Sequence, residues 1–115
     1  MPMERLGVGD VDTAQPEPGV TLSQLIVGER MNIQEVAFEP GSVASEHSHP
    51  NEQVTFVYEG ALTIHGEDGS HELEAGDSLL IPGGATHSAE NTGDTVARAV
   101  DVFSPPRGGT PWDDE

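Results

Sequence analysis

EHSHPNEQVTFVYEG, Glu46 to Gly60, carries two signals in fifteen residues. Its second half, QVTFVYEG, reads as a strand: β-branched and aromatic residues fill it until Glu59-Gly60 closes the run. Its first half sets two imidazoles two apart, with a carboxylate (Glu52) and an amide (Gln53) just beyond. Side chains alternate between the faces of an extended chain. His47, His49 and Gln53 therefore share a face if the segment stays extended, and Glu52 points away. Pro50 favours a kink or an edge position and can disturb that count.

The same period-two texture extends on both sides. VTLSQLIV and MNIQEVAF are strand-like runs separated by GER, and Pro40 to Ser42 breaks the chain before the histidines. ALTIH and SHELE flank GEDG, a hairpin signal of the Asp-Gly kind. AGDSLLIPGG contains a strand, ATHSAEN follows it, and TVARAVDVF is the last strand, ending at SPPRGG. No stretch holds a 3.6-residue apolar repeat over three turns, so the expected class is all-β, a sandwich or small antiparallel barrel. Asp77–Leu80 and the final strand carry apolar residues on both parities, which predicts cover on both faces. Residues 1–18, acidic and broken by Pro and Gly, are expected to be a flexible lead-in. The barrel then occupies 19–107, and 108–115 forms an acidic tail.

Composition narrows the function. At 115 residues the chain makes one domain, and 14 Gly with 9 Pro demand many turns. The 21 acidic residues face four arginines and no lysine, a formal net charge of −17. Such a surface repels phosphate backbones and anionic lipid, so neither nucleic acid nor membrane is an expected partner. It points instead to a protein tuned to high salt, where screening relieves self-repulsion. No cysteine is present, which removes disulfides and thiolate chemistry. The opening residues have no apolar signal core and no later run can span a bilayer, so the expected location is the cytoplasm.

A third imidazole, His87, follows the Pro-Gly-Gly turn of PGGATHSAEN, which can swing its strand back towards an earlier one. Three imidazoles and an amide oxygen suit one divalent ion of the Zn, Ni, Mn, Fe or Co kind. The donor set lacks thiolate and leaves coordination positions open, as catalytic or ligand-binding sites do. His65 and His71 flank the GEDG hairpin and are expected to face each other in water, with no ligand role.

The spacing resembles a known pattern. Gly41, five residues, His47, one, His49, three, Gln53, six, Gly60 is similar to the first cupin motif. Gly76, five, Pro82, one, Gly84, two, His87, three, Asn91 is similar to the second, fifteen residues further on. The resemblance implies a single-domain cupin, a small antiparallel β-barrel of jelly-roll topology with a metal in its mouth. It implies His47, His49, Gln53 and His87 as ligands, with Gln53 where that family usually has Glu. The neutral amide leaves more of the cation's charge uncompensated, which favours oxygen-rich anionic substrates and weighs against oxygenase or lyase chemistry.

HSHPNEQVTFVYEG and DVFSPPR together resemble the small cupins of pectin and alginate breakdown that linearise unsaturated uronates. That resemblance implies opening and tautomerisation of a 4,5-unsaturated uronate. Asp101 and Arg107 would be catalytic, with Phe103 and Arg107 binding the sugar acid. Asp101 and Phe103 share strand parity, a buried Asp suits proton transfer, and the Arg107 fork suits a carboxylate. The competing reading is a cupin that holds a metal and a small anionic ligand without turnover. Family members commonly pair as homodimers, and Val54, Phe56 and Tyr58, opposite in parity to Gln53, are candidate interface residues. Arg98 has the outward parity of Val100. If the acidic surface is a salt adaptation, raising KCl to about 1 M, where the Debye length is about 3 Å, increases the urea midpoint; a midpoint indifferent to salt rejects the adaptation.

Overall fold

The alternating runs pair into two antiparallel sheets that face one another. The computed structural model describes residues 2–107, with ten strands after a single 3-10 turn at Val8–Asp10. They are β1 (Thr13–Glu17), β2 (Val20–Val27), β3 (Asn32–Phe38), β4 (Val43–His47) and β5 (Glu52–Glu59). There follow β6 (Ala61–Gly66), β7 (Gly69–Glu74), β8 (Ser78–Ile81), β9 (His87–Glu90) and β10 (Ala97–Ser104). One sheet has the order β1-β2-β3-β10-β5-β8 and the other β4-β9-β6-β7. This is the all-β class that the turn spacing predicts, with the jelly-roll form that the resemblance implies.

Register across the six-stranded sheet explains where the core ends and a polar floor begins. On its inner face Val20, Phe38 and Ala97 form one row, and Leu22, Val36, Ala99 and Val57 the next. All seven are buried, and they meet Ala44, Leu62, Ile64, Leu73 and Ala89, buried in the facing sheet. Each large side chain removed from water here contributes about 1.5–3 kcal/mol. One step further along the strands the rows turn polar. Gln34, Asp101 and Thr55 stand side by side, followed by Asn32, Phe103 and Gln53. These polar side chains are buried too, so their cost must be met by hydrogen bonds.

Several expectations change. Within the expected lead-in, Thr13–Glu17 is a strand, paired with β2. Pro16 is tolerated because β1 is an edge strand, and the Glu17 carboxylate accepts from the Ser45 backbone N–H and hydroxyl, both at 2.7 Å. The acidic tail, 108–115, lies outside the described residues. Asp77–Leu80 is not covered on both faces: β8 is the opposite edge, and Leu80 is 56% exposed. Val100 and Val102 lie on the outer face beside Phe56 and Val54, the outward parity expected of Val100 and Arg98.

The GEDG hairpin forms with Gly66 opposite Gly69, but its histidines do not face each other. His65 stands opposite Ser70 and His71 opposite Ile64, so the two rings project from opposite faces of the hairpin. His65 bonds Ser70 Oγ and Glu90, both at 2.6 Å, and His71 approaches Asp68 at 3.3 Å.

Candidate functional site

The chain does not remain extended through the histidines. β4 ends at His47, residues 48–51 cross between sheets, and β5 begins at Glu52. His47 therefore belongs to the four-stranded sheet and Gln53 to the six-stranded one. They converge across the sandwich, not along one face of a strand. His87 opens β9 directly opposite His47 in register. His49, on the crossing loop, closes the group from the third side.

The crossing loop is held by close backbone contacts. Gly84 N–H donates to the His49 carbonyl at 2.7 Å. A Cβ on Gly83 would collide with the Pro50 carbonyl oxygen, so the Pro-Gly-Gly turn can lie on this loop only as glycine. Asn51 Nδ2 donates to the Pro105 carbonyl at 2.7 Å, which ties the loop to the segment leaving β10.

His47, His49 and His87 bring one ligand atom each within 4.8 Å of one another. Ring centroids are 4.5 Å apart for His47–His87, 5.3 Å for His49–His87 and 5.9 Å for His47–His49. In each ring Nδ1 donates to a carbonyl two residues away: Ser45 at 2.8 Å, Asn51 at 3.1 Å and Ala85 at 2.9 Å. A neutral ring so tied carries its lone pair on Nε2. Burial pushes the His87 pKa down to about 4, and burial together with the Arg107 charge lowers that of His49. Both rings are therefore neutral at neutral pH.

Two observations show that this donor set fits a cation. His87 Nε2 is buried and has no hydrogen-bond partner. His49 Nε2, the lone-pair nitrogen, lies 2.9 Å from Gln53 Oε1. Two acceptors at that distance repel unless a positive charge sits between them. The separation also matches two donor atoms each about 2.1 Å from a shared ion.

Beside this group lies a network on the sheet floor. Gln53 Nε2–H donates to Thr55 Oγ1 at 2.8 Å, and the Thr55 hydroxyl donates to Asp101 Oδ1 at 2.7 Å. Gln34 Nε2–H donates to Asp101 Oδ2 at 3.0 Å. Burial raises the Asp101 pKa against these hydrogen bonds. Phe103 stands edge-on to His49, centroids 5.4 Å apart, and the Arg107 guanidinium carbon lies 5.7 Å from the Phe103 ring centre. Arg107 is buried, and its backbone N–H donates to Asn32 Oδ1 at 2.7 Å.

One cavity of about 50 Å³ is lined by His47, Gln53, His87, Asp101, Phe103 and Arg107, with Leu22, Val36, Phe38 and Leu62 deeper in. Six of the seven candidate site residues thus line one space, and His49 lies against two of them, Gln53 and Phe103. Thr55, Gln34, Asn51 and Asn32 were not singled out. Thr55 shares the parity of Gln53 two residues on, a signal that was available; Gln34 and Asn32 join only through strand register.

The lowered His87 pKa sets a pH dependence for chelator-treated protein. Between about 4 and the free-imidazole value near 6.5, the unfolded chain takes a proton that the folded chain refuses, so stability falls as pH falls. His49 acts in the same direction, and Asp101, its pKa raised, in the opposite one. The expected loss from pH 7 to pH 5 is about 2 kcal/mol through His87. Urea unfolding at constant salt measures it, and His87→Gln should flatten the slope; an unchanged slope assigns it elsewhere.

Comparison with known proteins agrees with this architecture. The cupin domain family model matches residues 34–103. SchB from Streptomyces halstedii is 42% identical over 67 residues, 57% of this chain and 49% of SchB, so the chain spans about half of that relative. Polyketide synthase CurC from Streptomyces cyaneus is 31% identical over 113 residues, 90% of this chain and 73% of CurC. Among solved structures, KdgF from Halomonas sp. overlays with a TM-score of 0.79 at 26% identity, covering 87% of this chain and 91% of KdgF. A family model spanning more than half the sequence, on a jelly roll with clustered histidines at its mouth, places the chain in the cupin family.

Proposed function

We propose that this cupin binds one divalent metal ion through His47, His49, Gln53 and His87 and linearises a 4,5-unsaturated uronate or a closely related carboxylated sugar. The observation that carries the reading is the meeting of the imidazole cluster, a buried carboxyl and a buried guanidinium around one cavity. The sequence resemblance to uronate-linearising cupins supports it, and the fold is similar to that of KdgF from Halomonas sp..

A bound cation supplies Lewis-acid polarisation of a substrate oxygen. The protein's own groups do the rest. Arg107 pairs with the uronate carboxylate and, with Phe103 beneath it, fixes the ring's orientation. The proton of the anomeric hydroxyl passes to the ring oxygen as the C1–O5 bond breaks, leaving an aldehyde and an enol. Asp101 takes the enol proton and returns one to C4, and C5 becomes a ketone. The sugar's formula is unchanged, so no co-reactant is required. The raised Asp101 pKa suits a group that must both hold and release a proton.

A second reading has its own support. The deep cavity wall is aliphatic and aromatic, and SchB and CurC are the stronger sequence matches. The apolar wall and the likeness to CurC, a polyketide synthase by name, favour a polyketide-type substrate, with the same Asp101 moving a proton. Unsaturated galacturonate or guluronate incubated with metal-loaded protein separates the readings. Loss of the conjugated-alkene absorbance well above the buffer rate is expected, with Asp101→Asn, assayed at saturating metal, keeping substrate affinity but losing about 100-fold or more in rate. No acceleration by fully metal-loaded protein rejects the uronate reaction. Binding without turnover then marks a ligand-holding module.

The outer face of the six-stranded sheet is the proposed homodimer contact. Val54, Phe56 and Tyr58 are 40–44% exposed there, next to Val100 and Val102. On the same face the buried Glu35 carboxylate receives the Tyr58 hydroxyl and the Arg98 guanidinium, so two strongly acidic copies meet where charge is already matched. Light scattering in constant salt should give a dimer that Phe56→Glu converts to monomer; a monomeric parent protein removes this contact from consideration.

A further inference from the structure

An amide donor raises a difficulty that a carboxylate does not. Both oxygens of a carboxylate can face a cation, whereas an amide offers a cation its oxygen in one orientation and two N–H groups in the other. At Gln53 the wrong orientation has a local attraction. Turned round, the amide would donate an N–H to the Nε2 lone pair of His49, now 2.9 Å from Gln53 Oε1, and so occupy the acceptor a cation needs. Something must hold the oxygen inward.

We infer that Thr55 is the positioning residue that does so, fixing Gln53 as an oxygen donor. Thr55 is 2% exposed, and its hydroxyl has one proton. That proton goes to Asp101 Oδ1 at 2.7 Å, so Oγ1 faces Gln53 as an acceptor and receives the amide N–H at 2.8 Å. Asp101 is in turn held from its other oxygen by Gln34 at 3.0 Å. If Gln53 turned round, its oxygen would oppose the Thr55 oxygen. Either that pair would repel, or Thr55 would withdraw its proton from Asp101 and leave a carboxylate oxygen buried without its donor, a costly outcome. The direction of hydrogen bonding along Thr55, Asp101 and Gln34 thus selects which end of Gln53 meets the imidazoles.

This inference rests on the metal-binding reading above, and a four-protein comparison separates the two. Cobalt(II) affinity is measured by absorption titration for the parent, Thr55→Val, Gln53→Glu and the double variant, with circular dichroism confirming the fold. Thr55→Val should weaken cobalt binding by about 10–100-fold, and Thr55→Ser, which keeps the hydroxyl, should restore it. With Gln53→Glu there is no wrong orientation left, so adding Thr55→Val should alter affinity by no more than about twofold. An equal loss in both backgrounds means Thr55 acts only through packing. An unchanged affinity in Thr55→Val overturns the inference while leaving the metal centre standing. A parent protein that binds no cobalt, nickel or zinc removes the metal centre itself, and the role of Thr55 with it.

Discussion

A neutral imidazole has one proton to give, and His49 has two neighbours able to accept it. The Asn51 carbonyl lies at one ring nitrogen and the Gln53 amide oxygen at the other, and burial beside Arg107 discourages a second proton. One contact must then set lone pair against lone pair between two buried side chains. The molecule holds that arrangement in place from all sides: the Gly83-Gly84 turn against Pro50 and His49, Asn51 bonded to the chain beyond β10, and the polar rows beneath. Electron-rich atoms held this close by so much surrounding structure are what a cation-binding site requires.

The fold was largely readable because period-two alternation is a local property. VTLSQLIV became β2 residue for residue, and the GEDG turn fell where the glycines put it. The misreadings have physical causes. β1 contains Pro16 and little apolar patterning, both poor strand signals, and exists because an edge position next to β2 accepts them. β4 was hidden between a Pro-Gly break and the histidines, and its five residues carry little apolar patterning. Solvent exposure of β8 depends on its edge place in the sheet order, which its own residues do not encode.

The site was legible in its membership and not in its geometry. Spacing singled out the three histidines that the structure gathers, but the same-face argument failed because the chain changes sheets between His47 and Gln53. Parity did place Asp101 with Phe103 on an inner face, since burial alternates residue by residue from Ala97 to Phe103. Gln34 lies far from Asp101 in sequence and meets it only because β10 inserts between β3 and β5. No periodicity reports such a neighbour. Strand order is a property of the whole chain.

The change of sheet between His47 and Gln53 has a mechanical consequence. His47 and His87 belong to one layer and Gln53 to the other, so an ion shared among them would act as a rivet through the sandwich. Prising the layers apart at this end would then require breaking coordination bonds first. Occupancy would raise the barrier to opening as well as the equilibrium stability, by about 2.7 kcal/mol for the latter when free metal stands at a hundred times its dissociation constant. For a chain with a formal net charge of −17, such an ion would double as a fastener.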